Sequence, residues 1–151
     1  MNHFEASRST RAAPAYPSAK ESSQLPMRPS RAFVGPGPEL LGADSVQGDD
    51  VYNYEGERLG TIRQVMIDVR RGRVGYVVLS HGGLLGLGDR LFPIPWAALT
   101  IDPERACFLL DLTARELESA PDFGKSDWPD MSDLNWATTI HAFYGLEPYW
   151  E

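Results

Sequence analysis

The sequence predicts a mainly β fold, a small β-barrel of about six strands with a short C-terminal helical extension. Between Gly48 and Leu112, short runs rich in β-branched and aromatic residues alternate with glycine turns, and no long helical pattern separates them. Aromatic residues recur at helical spacing only near the C-terminus. We therefore divide the chain into a tail over residues 1–39, a barrel domain over 40–123, and an acidic, aromatic extension over 124–151.

The N-terminal tail is predicted to be disordered. Residues 1–39 hold six of the twelve prolines and six serines, and their apolar residues follow no period. Such a segment buries too little surface to offset the entropy lost when its backbone is ordered. An inert extension is the simpler interpretation, and a partner-binding tail is the alternative.

The first half of the barrel is predicted from two turns. A strand at Val51–Tyr54 meets the turn signal Glu55-Gly56, and a second strand runs from Arg58 to Val69. Arg70-Arg71-Gly72 then forms a hairpin turn, because glycine tolerates the positive φ that such turns require. The run Arg73–Ser80, rich in β-branched and aromatic residues, is the third strand.

The second half of the barrel begins after a glycine-rich loop at His81–Asp89. Pro93 and Pro95 cannot donate ladder hydrogen bonds, so the strand Arg90–Trp96 is expected at a sheet edge or in a bent strand. The remaining pieces are Ala97–Thr100, a turn at 102–105 and a last strand at Ala106–Leu112.

Two helices are predicted after the barrel. Residues 113–116 form a Thr-x-x-Glu capping box, so a helix of about two turns should follow and end before Pro121. Ser132 is the candidate N-cap of a second helix over Asp133–Tyr144, and Gly145 is its C-terminal cap.

Charge and composition narrow the classes of function. The net charge is −7, and residues 40–151 hold nine basic and eighteen acidic side chains, which argues against direct nucleic-acid binding. Cys107 is the only cysteine, is expected to be a buried inert thiol, and suits a reducing compartment. The sequence has no apolar run of about 20 residues and no secretory signal, so a cytoplasmic protein is expected.

Several short motifs, in this order along the chain, resemble the PRC-barrel family. They are Gly56, Leu59-Gly60, Ile67-Asp68, Gly72-Arg73-Val74, the glycine-rich run 82–88, Pro93–Leu99, Leu110–Thr113, Leu117 and Ala120–Phe123. The resemblance covers about Leu40–Phe123 and is to the barrel of the photosynthetic reaction-centre H subunit and of the ribosome maturation factor. It implies a barrel of about six strands that serves as a docking module and does no catalysis itself.

Two contexts of that family are not expected to transfer directly. No transmembrane helix precedes the barrel here, unlike the reaction-centre subunit, and no partner domain precedes it as in the ribosome factor. The C-terminal aromatic run resembles the extension of stand-alone bacterial members.

The motifs that suggest chemistry have simpler explanations, and we predict no catalytic, cofactor-binding or metal site. The glycine-rich run lacks the lysine and hydroxyl of a phosphate loop. Ser80 and His81 are adjacent in a strand and so point to opposite faces, which does not suit nucleophile and base. The hypothesis of a hydrolase or metal enzyme depends on His81 and on an acidic cluster. The spacing of that cluster matches no calcium-binding loop. The cluster comprises Asp122, Asp127, Asp130 and Asp133.

The C-terminal aromatic residues are the candidate interaction site. They are Trp128, Trp136, Tyr149 and Trp150. Either Tyr149 and Trp150 fold back onto the barrel, which we favour, or they dock into a partner. The predicted function is a non-enzymatic adaptor that binds another protein or a second copy of the chain. The alternative is an accessory factor in RNA metabolism or ribosome assembly that acts through a protein partner.

Overall fold

The computed structural model describes residues 40–82 and 90–151. The predicted tail and most of the glycine-rich loop lie outside these residues. The elements in chain order are α1 (Ala43–Val46), β1 (Asp50–Tyr52), β2 (Arg58–Asp68), β3 (Arg73–His81), β4 (Arg90–Pro95), a 3₁₀ turn (Trp96–Ala98), β5 (Leu99–Asp102), β6 (Cys107–Leu110), α2 (Ala114–Glu118) and α3 (Leu134–Phe143).

The six strands form one curled sheet in the order β4-β3-β2-β1-β6-β5. Neighbouring strands are antiparallel except β1 and β6, which pair in parallel with Val51 opposite Phe108. The mainly β fold with a short C-terminal helix is therefore confirmed. Strand β4, which contains Pro93 and Pro95, lies at an edge of the sheet, as their missing N–H groups predicted.

Several predicted strand boundaries are wrong. The piece predicted at Ala97–Thr100 is β5 (Leu99–Asp102), and the last strand is Cys107–Leu110 and not Ala106–Leu112. Local chemistry explains where β1 ends. Strand β1 ends at Tyr52 because the Asn53 side chain organises the turn, its Oδ1 accepting from the backbone N–H groups of Glu55 (3.0 Å) and Glu57 (2.8 Å). Strand β4 ends at Pro95, and Trp96 begins the 3₁₀ turn.

The main core lies on the inner face of the curled sheet. Its fully buried side chains from the strands include Ile62, Val77, Leu79, Phe92 and Phe108. The opposite face of β3 is also covered, because Tyr76 packs against Ala137 and Ile140 of α3.

The helix ends show which cap predictions hold. The capping box is confirmed, with Thr113 Oγ1 accepting from the Glu116 N–H (3.1 Å) and the Glu116 carboxylate accepting from the Thr113 N–H (2.8 Å). The N-cap of α3 is Asp133, not Ser132, because the Asp133 carboxylate accepts from the Asn135 N–H (2.9 Å). The Ser132 hydroxyl instead donates to Asp130.

The C-terminal cap of α3 is as predicted. Gly145 has φ +67°, and the N–H of Leu146 donates to the carbonyl of His141 (2.9 Å). This reversal ends the helix and turns the last residues of the chain back over the sheet.

Candidate docking groove

A groove of about 420 Å³ lies where the β2–β3 hairpin, the start of α3 and the C-terminal residues meet. Its sides come from three separate parts of the sequence. The lining residues are Met66–Arg71, Gly75, Tyr76, Met131, Ser132, Leu134, Ala137, Tyr149 and Trp150. We call this feature the docking groove.

Solvent-exposed apolar side chains are concentrated in the groove. Ile67, Val69 and Leu134 are 57%, 86% and 53% exposed, and they are three of the six large hydrophobic side chains that are exposed in the described residues. Scattered exposed apolar residues are normal on a protein surface, but a cluster of them is typical of a binding site.

Arginines form the rim of this apolar surface. The Arg71 guanidinium pairs with Asp68 at 3.2 Å, and that of Arg73 lies 4.2 Å from the centre of the Tyr149 ring. Arg70 is exposed and lines the groove, and among the described residues no carboxylate pairs with it. The rim therefore presents positive charge to an incoming ligand.

Tyr149 is fixed as one wall of the groove. Its hydroxyl donates to Asp68 Oδ2 at 2.8 Å, and Gly75 leaves room for it, since a Cβ at Gly75 would lie 3.0 Å from that hydroxyl. The hydrogen bond from Tyr149, followed by that from the Arg71 N–H, holds the pKa of Asp68 below its ordinary value. Burial and the bond to Asp68 raise the pKa of Tyr149 to about 12, so the hydroxyl stays protonated and keeps donating.

Aromatic rings beneath the groove join the C-terminal residues to the sheet. The Tyr76 ring lies 5.5 Å from Trp136 and 5.5 Å from His141, and Trp150 stacks edge-on against His141 at 5.0 Å. His141 Nδ1 lies 3.3 Å from the Tyr76 hydroxyl and 2.9 Å from the Ala137 carbonyl. Burial raises the pKa of Tyr76, so its hydroxyl stays protonated.

The structure brings together three of the four candidate interaction residues. Tyr149 and Trp150 line the groove and fold back onto the sheet, and Trp136 packs under them on Tyr76. Trp128 is 40% exposed and lies against the Phe123 ring at 4.8 Å, outside the groove lining. Ile67, Val69 and the arginines were missed, although their hairpin was found, because a strand pattern does not show which apolar residues stay uncovered.

Two of the residues considered for catalysis, His81 and Asp122, have structural partners. His81 Nδ1 pairs with the Leu59 carbonyl, and its ring packs edge-on against Phe92 at 5.8 Å. In the predicted acidic cluster, Asp122 pairs with Arg90. Within residues 40–82 and 90–151 no group of His, Cys, Asp and Glu side chains is arranged to hold a metal ion.

Cys107 lies in the buried strand β6. Burial, followed by the negative charge of Asp102, raises the pKa of its thiol to about 12. An inaccessible protonated thiol is a poor nucleophile, so the prediction of a buried, inert cysteine fits its position.

The comparison with protein families identifies the class of the chain. The model of the PRC-barrel domain matches residues 38–117, more than half of the sequence, and the curled β sheet agrees with it. The chain belongs to the PRC-barrel family, whose domains often take part in protein–protein interactions and are generally non-catalytic. A search of the curated proteins found no match. None of the described helices has the length and apolar character needed to cross a membrane.

The groove joins the family domain to a segment outside the family match. Residues 66–76 lie within the matched range, whereas Met131, Leu134, Tyr149 and Trp150 follow it. The C-terminal extension therefore contributes six of the fourteen residues that line the groove.

Proposed function

We propose that this chain is a non-enzymatic adaptor that binds another protein, or a second copy of itself, through the docking groove. The observation that carries the proposal is the concentration of exposed Ile67, Val69 and Leu134 in one concave, arginine-rimmed site. Apolar surface of this kind gains free energy when a partner removes it from water.

The candidate aromatic residues support the same proposal. Tyr149 and Trp150 present large, ordered rings to the groove, and such rings are common anchors in protein interfaces. Because they pack against the sheet beforehand, a partner would not have to order them on binding.

The first test is recovery of the tagged full-length protein from its own host, followed by identification of what accompanies it. The double substitution Ile67→Ser with Leu134→Ser should lose the partner, because it removes two exposed apolar contacts and little buried packing. Leu40→Ser is the matched control, since Leu40 is 63% exposed and lies outside the groove lining. Retention of the partner by the double variant, at the level of the control, would overturn the proposal.

A second pair of substitutions tests the aromatic wall. Tyr149→Ala with Trp150→Ala should weaken association while the barrel stays folded, because both side chains lie on the outer face and not in the main core. Repeating the recovery with nuclease separates the alternative, since ribosomal components lost on nuclease treatment would indicate a role in RNA metabolism or ribosome assembly.

A further inference from the structure

From the charge of the docking groove we infer its partner: an acidic segment of a different protein, in which apolar side chains are flanked by carboxylates. This inference rests on the proposed function and adds the chemistry of the ligand. The apolar side chains would lie against Ile67, Val69 and Leu134, and the carboxylates would meet Arg70 and Arg71 at the rim.

The hairpin that forms the rim has the opposite charge to the rest of the folded chain. Residues 63–73 hold four of the nine basic side chains of residues 40–151, but only one of the eighteen acidic ones, Asp68. That acid is already engaged, by Tyr149 and by Arg71. The hairpin is therefore a local positive site on an acidic body, and complementary potential favours a negative ligand.

The size of the groove indicates a short segment and not a folded surface. A volume of about 420 Å³ is in the range of clefts that hold small ligands or a few side chains. The exposed apolar groups and the rim arginines are close neighbours in the sequence, Val69 next to Arg70, so one short segment can reach both kinds of group.

Other segments of this chain fit the groove less well. Residues 1–39 carry five basic and three acidic side chains, the same sign of charge as the rim. A second copy offers acidic surface, but two bodies that each carry nine excess acids over residues 40–151 repel one another. A separate protein needs only one acidic segment, and its overall charge need not repel this chain.

The test is selection of short random peptides on the immobilised full-length protein, followed by affinity measurement with a labelled selected peptide. Selected peptides should be rich in Asp and Glu beside Leu, Ile, Phe or Trp. Arg70→Glu should weaken their binding by about tenfold or more, because a favourable charge contact becomes repulsive. Added salt should weaken the binding of the same peptides to the parent protein, because it screens the favourable contact. Arg70 is the first choice since its replacement breaks no described ion pair.

Two further variants make the result decisive. Arg115→Glu applies the same charge change on α2, outside the groove lining, and should alter affinity by less than about twofold if the contact is local. Ile67→Ser with Leu134→Ser should abolish binding through the apolar surface. Both variants should keep the melting temperature of the parent protein.

The outcomes separate this inference from the proposed function. Loss of binding in the Ile67 and Leu134 variant but not in Arg70→Glu would show that the groove docks proteins of another chemistry, and would overturn the acidic ligand alone. Failure to select any peptide whose binding depends on Arg70 or on Ile67 and Leu134 would overturn the short acidic ligand, whereas the proposed function is overturned separately, by retention of the recovered partner in the Ile67 and Leu134 variant. A change in the sedimentation of the protein alone on Arg70→Glu would show that the occupant is a second copy, which also overturns the inference.

Discussion

Gly60 shows how a single residue sets the distance between two strands. A Cβ built on Gly60 of β2 would collide with the backbone carbonyl of Ser80 in β3, and would lie 3.2 Å from the Leu79 side chain. Backbone atoms cannot move aside without disturbing the ladder, so only glycine fits this position.

Gly60→Ala should therefore lower the free energy of unfolding by about 1–3 kcal/mol, the usual cost of forcing extra atoms into a packed site. Denaturant melting monitored by circular dichroism measures it. Gly124→Ala is the matched control, since the nearest atom to a Cβ there is the Asp127 Cβ at 4.0 Å. Equal stability of the two variants would contradict the close approach of β2 and β3.

The hydrogen bond from Tyr149 to Asp68 predicts a defined pH effect. Because the folded protein holds the pKa of Asp68 below its unfolded value, Asp68 contributes stability above the unfolded pKa near 4 that is lost as pH falls through the folded pKa. Tyr149→Phe removes the largest cause of that shift. The pKa of Asp68 should then rise toward its ordinary value, and the loss of stability in acid should become shallower.

NMR titration of the Asp68 carboxyl carbon in both proteins measures this change. Tyr144→Phe is the matched control, because the Tyr144 hydroxyl is buried without a hydrogen-bond partner among the described residues. Its removal should leave the pKa of Asp68 where it was. An unchanged Asp68 titration in Tyr149→Phe would mean that the C-terminal wall does not hold to the hairpin in solution.

At the scale of the element, strand β3 is buried on both faces. Val77 points into the main core, and Val78, on the opposite face with Tyr76, is also fully buried. A strand with one solvated face would show alternating burial, whereas residues 75–79 are buried without interruption.

Val78→Asp should consequently destabilise the fold by about 3 kcal/mol or more, since it places an unpaired charge in an apolar layer. Ile67→Asp, the same kind of change on the neighbouring strand β2, should cost little because Ile67 is 57% exposed. Thermal melting compares the two variants. A small effect of Val78→Asp would show that the outer face of β3 is open to water.

The elements that sequence predicted well are those with local causes. The hairpin turn at Gly72, the capping box at Thr113 and the glycine cap at Gly145 each depend on residues only a few positions apart. The choice between Ser132 and Asp133 as N-cap was missed because both residue types cap helices and only the backbone path decides.

What the sequence could not supply depends on residues far apart in the chain. The parallel pairing of β1 with β6 joins Val51 to Phe108, and no local pattern records it. The groove likewise needs the hairpin, Leu134 and Trp150 together. The aromatic half of the site was predicted because tryptophan and tyrosine are conspicuous, whereas exposed Ile67 and Val69 look like ordinary strand residues until the fold shows them uncovered.

For the whole molecule, the distribution of charge decides which partners can approach. Residues 40–151 carry twice as many acidic as basic side chains, and four of the nine basic ones lie in the single hairpin 63–73. Over residues 40–151 the protein is negative, and the hairpin beside the groove is a local cluster of positive charge. The net negative charge of the whole protein repels a long polyanion, whereas a short acidic segment interacts mainly with the nearby arginines of the rim.

This contrast predicts that the protein does not bind nucleic acid directly. Non-specific nucleic-acid binders reach dissociation constants of about 10⁻⁴–10⁻⁶ M at physiological salt through many phosphate contacts, and the net charge of −7 opposes such contacts here. Fluorescence anisotropy with labelled single-stranded RNA and duplex DNA should therefore show no binding in that range, for the parent protein and for Arg70→Glu alike. Saturable binding by the parent protein that Arg70→Glu abolishes would show instead that the hairpin arginines recognise phosphate, and the groove would then be a nucleic-acid site and not a protein-docking one.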